Sequence, residues 1–551
     1  MSPSDDLGRT DTRQFPTKHF PTEHKEEHFP TDHKEDVRPH DHAIDPGSAM
    51  CRTTGRLIAL NAVIGIGGFI LNFDIGYTGA VLVMEPFNQA FGQLTIAPGE
   101  TTPTYALSAT QQSLGSSIYL IFLAIGAGAS GLSSHYFGPR GALQVGCVFV
   151  AIGAAGMVGS AGNFVGYLAC KCIGAFGLGH VQNMGVIYGV ECSPPGKRGL
   201  LVCLFTVGAT IGNLVATAVC AGSQVIPNDW SWRTPIILQI PTAAAFGFSL
   251  LAFPQSPRWL LTKGKTEQAQ RSFGYLFSSD PLGEDVRRQV LDTQAAIDEE
   301  KELSSSTNWT EIFHRNFVRR TMIALAINCC AALSGSFFIF SYAALFLHSV
   351  GVGSPINISV IINSCVVVGG LTGPFWVEYL GRRRSIITGY LGMMTCMLVF
   401  AATSTGLGGA NNVNAASRDV LIAFLCLWAF TFGGFISSTQ FMASSEMHAV
   451  RHRSYGQAFA SLVANLVAFG SSFWGPYMLN PDYGNMGTNV GYFYFGLESI
   501  SLVILFLIVP ENARLTLEEI DEYFISGRKA WRTSLARNKR IARGEADVKE
   551  N

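Results

Sequence analysis

Charge is what this sequence has least of. Asp, Glu, Lys and Arg together make up 14% of its 551 residues, against about a quarter in an ordinary soluble domain. So little charge cannot clothe a water-facing surface of this size, which argues against a soluble enzyme or scaffold. A basic excess is missing too: the net charge is -1, which excludes a general nucleic-acid binder. No apolar signal segment opens the chain, because the first fifty residues are polar and His-rich. A disulfide framework is also lacking. Of twelve cysteines, Cys147, Cys170, Cys172, Cys203, Cys329, Cys330, Cys365, Cys396 and Cys426 lie inside apolar runs, as small reduced packing residues do. No nucleophile–base pair, metal cluster or phosphate-cradling glycine loop appears in a polar stretch. The glycine-rich runs Gly126–Gly128 and Gly174–Gly179 are embedded in apolar sequence. The expectation is a protein that is not an enzyme and has no cofactor, no metal and no nucleic-acid partner.

What is there is hydrophobic length. Twelve apolar spans are expected near 57–83, 112–134, 141–161, 164–190, 199–222, 234–253, 320–347, 356–379, 385–404, 419–445, 455–479 and 489–509. Each is long enough to cross about 30 Å of hydrocarbon as a helix. A polar stretch divides them six and six. It begins at Pro254-Gln-Ser-Pro-Arg-Trp259, where two prolines stop the helix and Arg258, Lys263 and Lys265 add positive charge at a membrane exit. The expected architecture is an all-α membrane protein: twelve transmembrane helices in two pseudo-symmetric six-helix bundles, with a cytoplasmic helical linker.

The expected division is a tail at 1–52, a first bundle at 53–253, the linker at 254–318, a second bundle at 319–509 and a C-terminal tail at 510–551. The first tail repeats Phe15-Pro-Thr-Lys-His19, Phe20-Pro-Thr-Glu-His24 and Phe29-Pro-Thr-Asp-His33 and has almost no aliphatic residues, so it reads as disordered and solvated. Metal binding by His19, His24, His28, His33, His40 and His42 is the alternative. In the linker, Ala269, Phe273, Leu276 and Phe277, then Val286, Val290, Leu291 and Ile297, recur among charged residues as amphipathic helices require. Basic residues concentrate in the loops after even-numbered spans and in the C-terminal tail. The positive-inside rule then places both termini and the linker in the cytoplasm, as in a multi-pass plasma-membrane protein.

The two halves share a charge grammar. Gly138-Pro139-Arg140 follows the second span and Gly381-Arg382-Arg383 the eighth. Glu191 precedes Arg198, and Glu446 precedes Arg453, by the same seven residues at the ends of the fourth and tenth spans. Ionisable groups at matched helix ends can pair when that side closes and part when it opens, the logic of a rocking carrier.

These residues carry a resemblance. Glu191-Cys-Ser-Pro-Pro-Gly-Lys-Arg198, Trp232-Arg-Thr-Pro235, Pro254-Gln-Ser-Pro-Arg258, Glu378-Tyr-Leu-Gly-Arg-Arg383 and Pro510-Glu511 with Leu515-Thr-Leu-Glu-Glu519 resemble the sugar porters of the major facilitator superfamily, from about residue 65 to 520. The resemblance implies alternating-access transport of a sugar-like solute and a cytoplasmic gate of Arg140, Glu191, Arg198, Arg258, Glu378, Arg382, Arg383, Glu446 and Arg453. Two positions depart from it. His135-Tyr-Phe-Gly138-Pro139 stands where the family has Asp-x-x-Gly-Arg, and Gln255 stands where it has glutamate, which shifts the expected gating toward the second half.

Asp74 and Lys171 lie mid-span. An ionised group at that depth costs on the order of a few kcal/mol and normally has a partner and a water-facing cavity. The resemblance implies that such an acid–base pair couples protons to transport, so protons join the solute and the lipid bilayer as partners; a structural ion pair is the alternative. Around the implied solute site, Ala331, Ala332 and Phe337 replace two glutamines and an asparagine, Thr206 replaces a glutamine and Phe441 a tryptophan, whereas Asn465 matches. Gln182, Asn213 and Tyr342 remain on neighbouring faces. Lost amides leave a more apolar cavity, and a dry hydroxyl costs about 1 kcal/mol or more per missing bond. A carrier or exporter of a less hydroxylated metabolite or organic acid is therefore a second reading. A non-transporting sugar sensor, a type that carries a long cytoplasmic tail, is a third.

Overall fold

The computed structural model describes residues 54–95, 104–193, 198–305, 309–314, 317–349, 353–406, 415–448, 453–480, 482–515, 517–526 and 529–541, all within the unit Ser48–Asn551. The His-rich repeat lies outside them. The first half comprises α1 (Gly55–Val81), α2 (Glu85–Phe91), α3 (Ala109–Gly159), α4 (Phe164–Cys192), α5 (Arg198–Ser223), α6 (Trp230–Ile237) and α7 (Gln239–Ser249). Three helices of the polar stretch follow: α8 (Pro257–Thr262), α9 (Thr266–Phe277) and α10 (Glu284–Ser305). The second half comprises α11 (Val318–Leu333), α12 (Ser336–Ser349), α13 (Pro355–Leu380), α14 (Arg382–Gly406), α15 (Ala415–Thr431), α16 (Gln440–Met447), α17 (Arg453–Phe473), α18 (Gly475–Leu479) and α19 (Val490–Ile508), with α20 (Leu517–Ile525) and α21 (Leu535–Ile541) after it. Strands β1 (Gln93–Thr95) and β2 (Thr104–Ala106) pair antiparallel between the first two spans.

Eleven helical segments among the described residues are long and apolar enough to cross a membrane. One of them, α3, has 51 residues and would measure about 75 Å if straight, more than twice a hydrocarbon core. Gly138 (φ 76°, ψ 167°) breaks it into the second and third spans, which gives the twelve crossings that the apolar runs require.

Local sequence sets the boundaries. Thr54 and Asn163 accept from the N–H of Leu57 and Gly166, and Ser108 with Gln111 forms a capping box. Pro254 ends the sixth span. Ser256 caps α8 by accepting from Trp259 N, and Pro257 occupies the first turn, where its missing N–H costs nothing. In α9, Ala269, Phe273, Leu276 and Phe277 are buried, as are Val286, Val290 and Ile297 of α10. Leu291 was expected on that apolar face but is 61% exposed; it follows Val290 by one residue, roughly 100° around the helix.

The repeat is visible in the backbone. Gly381 (φ 86°, ψ 172°) ends the eighth span in the conformation Gly138 adopts after the second. Each glycine has a side chain against it: Gln255 at Gly138, Glu511 at Gly381. Glu511 accepts from the N–H groups of Arg382 (2.9 Å), Arg383 (3.1 Å) and Ala513 (3.0 Å) and so caps α14. In the first half, Pro139 has no N–H to offer, and the facing residue is a neutral amide. Gln255 Nε2 donates to Phe137 O at 2.8 Å. The glutamate-to-glutamine departure thus accompanies an arginine-to-proline departure across the contact.

Close helix approaches repeat as well. A methyl added at Gly126 or Gly179 would meet the backbone of the facing helix in the α3–α4 contact, and one at Gly369 or Gly433 would do so in the matching pair of the second half. Among the described residues the bundles meet chiefly where α1 packs on α12, α3 on α17 and its continuation α18, and α5 on α13. The α3–α17 and α5–α13 contacts exchange under the repeat. Gly79 of α1 sits against the carbonyl of Ser341 in α12. Tyr342 hydrogen-bonds to Ser116 and donates to Ser472 O at 3.0 Å. Asn213 donates to Asn363 Oδ1 at 2.9 Å, and Thr110 pairs with Tyr477 at 2.9 Å. All of these lie in the half of the spans remote from α8–α10.

Replacing Glu511 by glutamine is expected to lower stability by about 2 kcal/mol, because charged acceptors contribute roughly twice what neutral ones do. Gln255→Ala should cost about 1 kcal/mol or less. Thermal unfolding of the solubilised protein checks the ranking, which fails if Gln255→Ala is the more damaging.

Candidate functional site

The site grows from one turn of α1. Asp74, Tyr77 and Thr78 are three and four residues apart and therefore share a helix face. Asp74 is 3% exposed. Its Oδ1 accepts from Tyr77 Oη at 2.6 Å and from Gln239 Nε2 of α7 at 3.0 Å. Lys171 of α4, 1% exposed, places Nζ 3.7 Å from Oδ2. That ammonium donates to Thr78 Oγ1 at 2.7 Å, and Thr78 in turn donates to Asp74 O at 2.7 Å. The rings of Tyr77 and Tyr119 each lie 5.1 Å from Nζ, within cation–π range. Phe87 and Phe91 of α2 pack with Tyr167 and Trp232 next to this group.

The carboxylate is thus unevenly bonded. Oδ1 holds two donors, whereas Oδ2 is buried without a hydrogen bond and has only the ammonium before it. Chemically, Oδ2 is the atom at which a proton can replace an ion pair. Sequence reasoning found Asp74 and Lys171 but missed Tyr77, Thr78, Tyr119 and Gln239. Spacing from Asp74 would have flagged the first two, and Gln239 is a lone amide in an apolar run.

The other expected residues divide into groups. Tyr342 (0% exposed) and Asn213 are engaged across the bundle contact, not facing open space. Gln182 is partly buried with Oε1 unbonded. Thr206, Phe337 and Asn465 are half-buried, and Phe441 is 52% exposed. Ala331 and Ala332 are buried at the end of α11, just before the break at Ser334 and Gly335 (φ 89°) that separates it from α12. The tenth span is irregular too, with a π turn over Phe432–Ser437. Such turns recur at functional sites.

The residues expected to form a gate lie near α8 and near the start of α20. Arg140 donates to Phe253 O at 2.6 Å, and Glu191 accepts from Ser256 Oγ at 2.5 Å. Arg258 is half-buried nearby. Arg382 pairs with Glu446 at 3.1 Å, and Glu378 with Arg514 at 3.5 Å. Arg383 turns inward instead, to the carbonyls of Val509 and Phe506. Arg198 and Arg453 begin α5 and α17, but their side chains lie outside those described.

If the buried pair stabilises this arrangement as described, Lys171→Ala should cost about 3–5 kcal/mol by leaving an unpaired buried carboxylate. Asp74→Asn combined with Lys171→Met should recover most of that loss. Thermal unfolding of the three proteins is the measurement, and an undiminished loss in the double variant would refute the pairing.

Residues 60–524 match the family model for the sugar (and other) transporter family. A low-affinity glucose transporter of Saccharomyces cerevisiae is 27% identical over 480 residues, 86% of this chain and 81% of that one. A high-affinity fructose transporter of Schizosaccharomyces pombe is 25% identical over 506 residues, 90% and 91% of the two chains. Among solved structures, the inward-open conformation of the xylose transporter XylE from E. coli aligns with a TM-score of 0.68 at 20% identity, covering 85% of this chain and 99% of that one.

Proposed function

We propose, from the premise that this chain belongs to the sugar (and other) transporter family, that it is a proton-coupled secondary transporter of a sugar or sugar-like solute. It works by alternating access between its two bundles, in the plasma membrane, with both termini and α8–α10 in the cytoplasm. Relatives named as glucose and fructose transporters support the solute class. The observation that carries the coupling is the uneven carboxyl of Asp74: one oxygen is held by Tyr77 and Gln239, the other has only Lys171. A proton arriving at Oδ2 releases the ammonium, which keeps its bond to Thr78. Lysine suits this exchange better than arginine, because its ammonium is a compact point charge on a flexible stem. At about 100 mV one proton supplies roughly 2.3 kcal/mol, or about fiftyfold accumulation.

The second reading, a less hydroxylated solute, has its own support. Ala331 and Ala332 are apolar and buried, and two of the remaining polar candidates, Asn213 and Tyr342, are bonded to protein partners.

In vesicles with an imposed pH step, Asp74→Asn should abolish uphill accumulation while leaving solute exchange. Uphill uptake equal to that of the unaltered protein would reject the assignment. A panel of hexoses, polyols and aromatic or acidic metabolites decides the solute class, and saturable glucose uptake would dismiss the second reading.

A further inference from the structure

A second acid lies deep in a span and plays no part in the mechanism above. Glu498 sits mid-way along α19 in Leu497-Glu-Ser-Ile500 and is 0% exposed. Its Oε1 accepts from Trp428 Nε1 of α15 at 2.9 Å, and its Oε2 is buried with no hydrogen bond. Among the described residues no cation pairs with it. The titratable side chains around it are Tyr390 and Cys396 of α14, Tyr494 of its own helix and, beside Tyr390, Cys330 of α11. None of them bears a positive charge. A carboxylate so enclosed would have one donor and no counter-ion in an apolar bundle, the most costly state available to it. A carboxylic acid with its proton on Oε2 avoids that cost and keeps the bond from Trp428.

Its position adds a consequence. Trp428 lies one turn before the π turn of the tenth span and stacks on Phe432, the first residue of that turn, with ring centroids 5.3 Å apart. Phe432 meets Phe340 of α12 at 5.7 Å. One turn back along α19, Tyr494 lies against Gly335, at the break between α11 and α12. Glu498 is therefore tied to both irregular helices of the second bundle.

We propose that Glu498 is a second proton-binding site, holding its proton on Oε2 and linked through Trp428 to the π turn. This deepens the transporter reading, on which it rests for its role, by giving each bundle one titrating acid with a single bonded oxygen.

Infrared spectra of the purified full-length protein, taken through a pH titration without any solute, test it. The carbonyl band of a buried protonated carboxylic acid is expected at neutral pH. It should be lost in Glu498→Gln, retained in Asp74→Asn, and moved to higher wavenumber in Trp428→Phe, where the acid keeps its proton but loses its donor. The alkaline step that removes the band should also change tryptophan fluorescence, a change missing from Trp428→Phe. A band that survives Glu498→Gln, or that Trp428→Phe leaves in place, would overturn the proposal. Should Glu498→Gln not fold, the shift in Trp428→Phe still decides. Failure of pH-driven uptake would count against the transport mechanism and leave this test unaffected.

Discussion

Hydrocarbon offers a polypeptide no hydrogen-bond partners, and the organisation of this chain follows from that single constraint. Hydroxyls inside the spans are returned to their own helices: Thr78 to Asp74 O, Ser117 to Ser113 O and Thr217 to Leu214 O. Helices approach closely where glycine permits, because neighbouring helices gain nothing from excluding water in a bilayer and must gain it from contact. Buried polar atoms left unbonded stand out against this economy. Oδ2 of Asp74, Oε1 of Gln182 and Oε2 of Glu498 are three such atoms, and all belong to side chains too polar to be there for packing alone.

Much of the fold was legible because length and polarity are one-dimensional properties. Apolar runs of about twenty residues, two prolines at the exit of the sixth and a change to mixed charge give spans, boundary and linker without any three-dimensional knowledge. Breaks within spans were not legible. Nothing in Ser334-Gly335 announces a gap between two helices, since Gly126 and Gly179 sit inside spans that continue through them without a break. The π turn at Phe432 is equally silent.

The candidate site was legible where a residue is anomalous by depth and obscure where its partner had to be chosen. Asp74 and Lys171 are anomalous. Gln239 acts on Asp74 from 165 residues away, and only the packing of α7 on α1 selects it. Depth also marks Glu498, and the rule applied to Asp74 would have found it. Tyr342 shows the opposite limit. A polar side chain in the seventh span suggested a solute contact, yet its hydroxyl is taken by Ser116 and Ser472 O.

Those bonds have a mechanical meaning. Among the described residues, hydroxyls and amides, not ion pairs, fasten the bundles at the end remote from α8–α10: Ser116 with Tyr342, Asn213 with Asn363, Thr110 with Tyr477. A neutral hydrogen bond surrendered to water costs only about 1 kcal/mol, and mobile ions hardly screen it. The three bonds together therefore hold this end by only a few kcal/mol. The clasp is weak bond by bond and indifferent to salt.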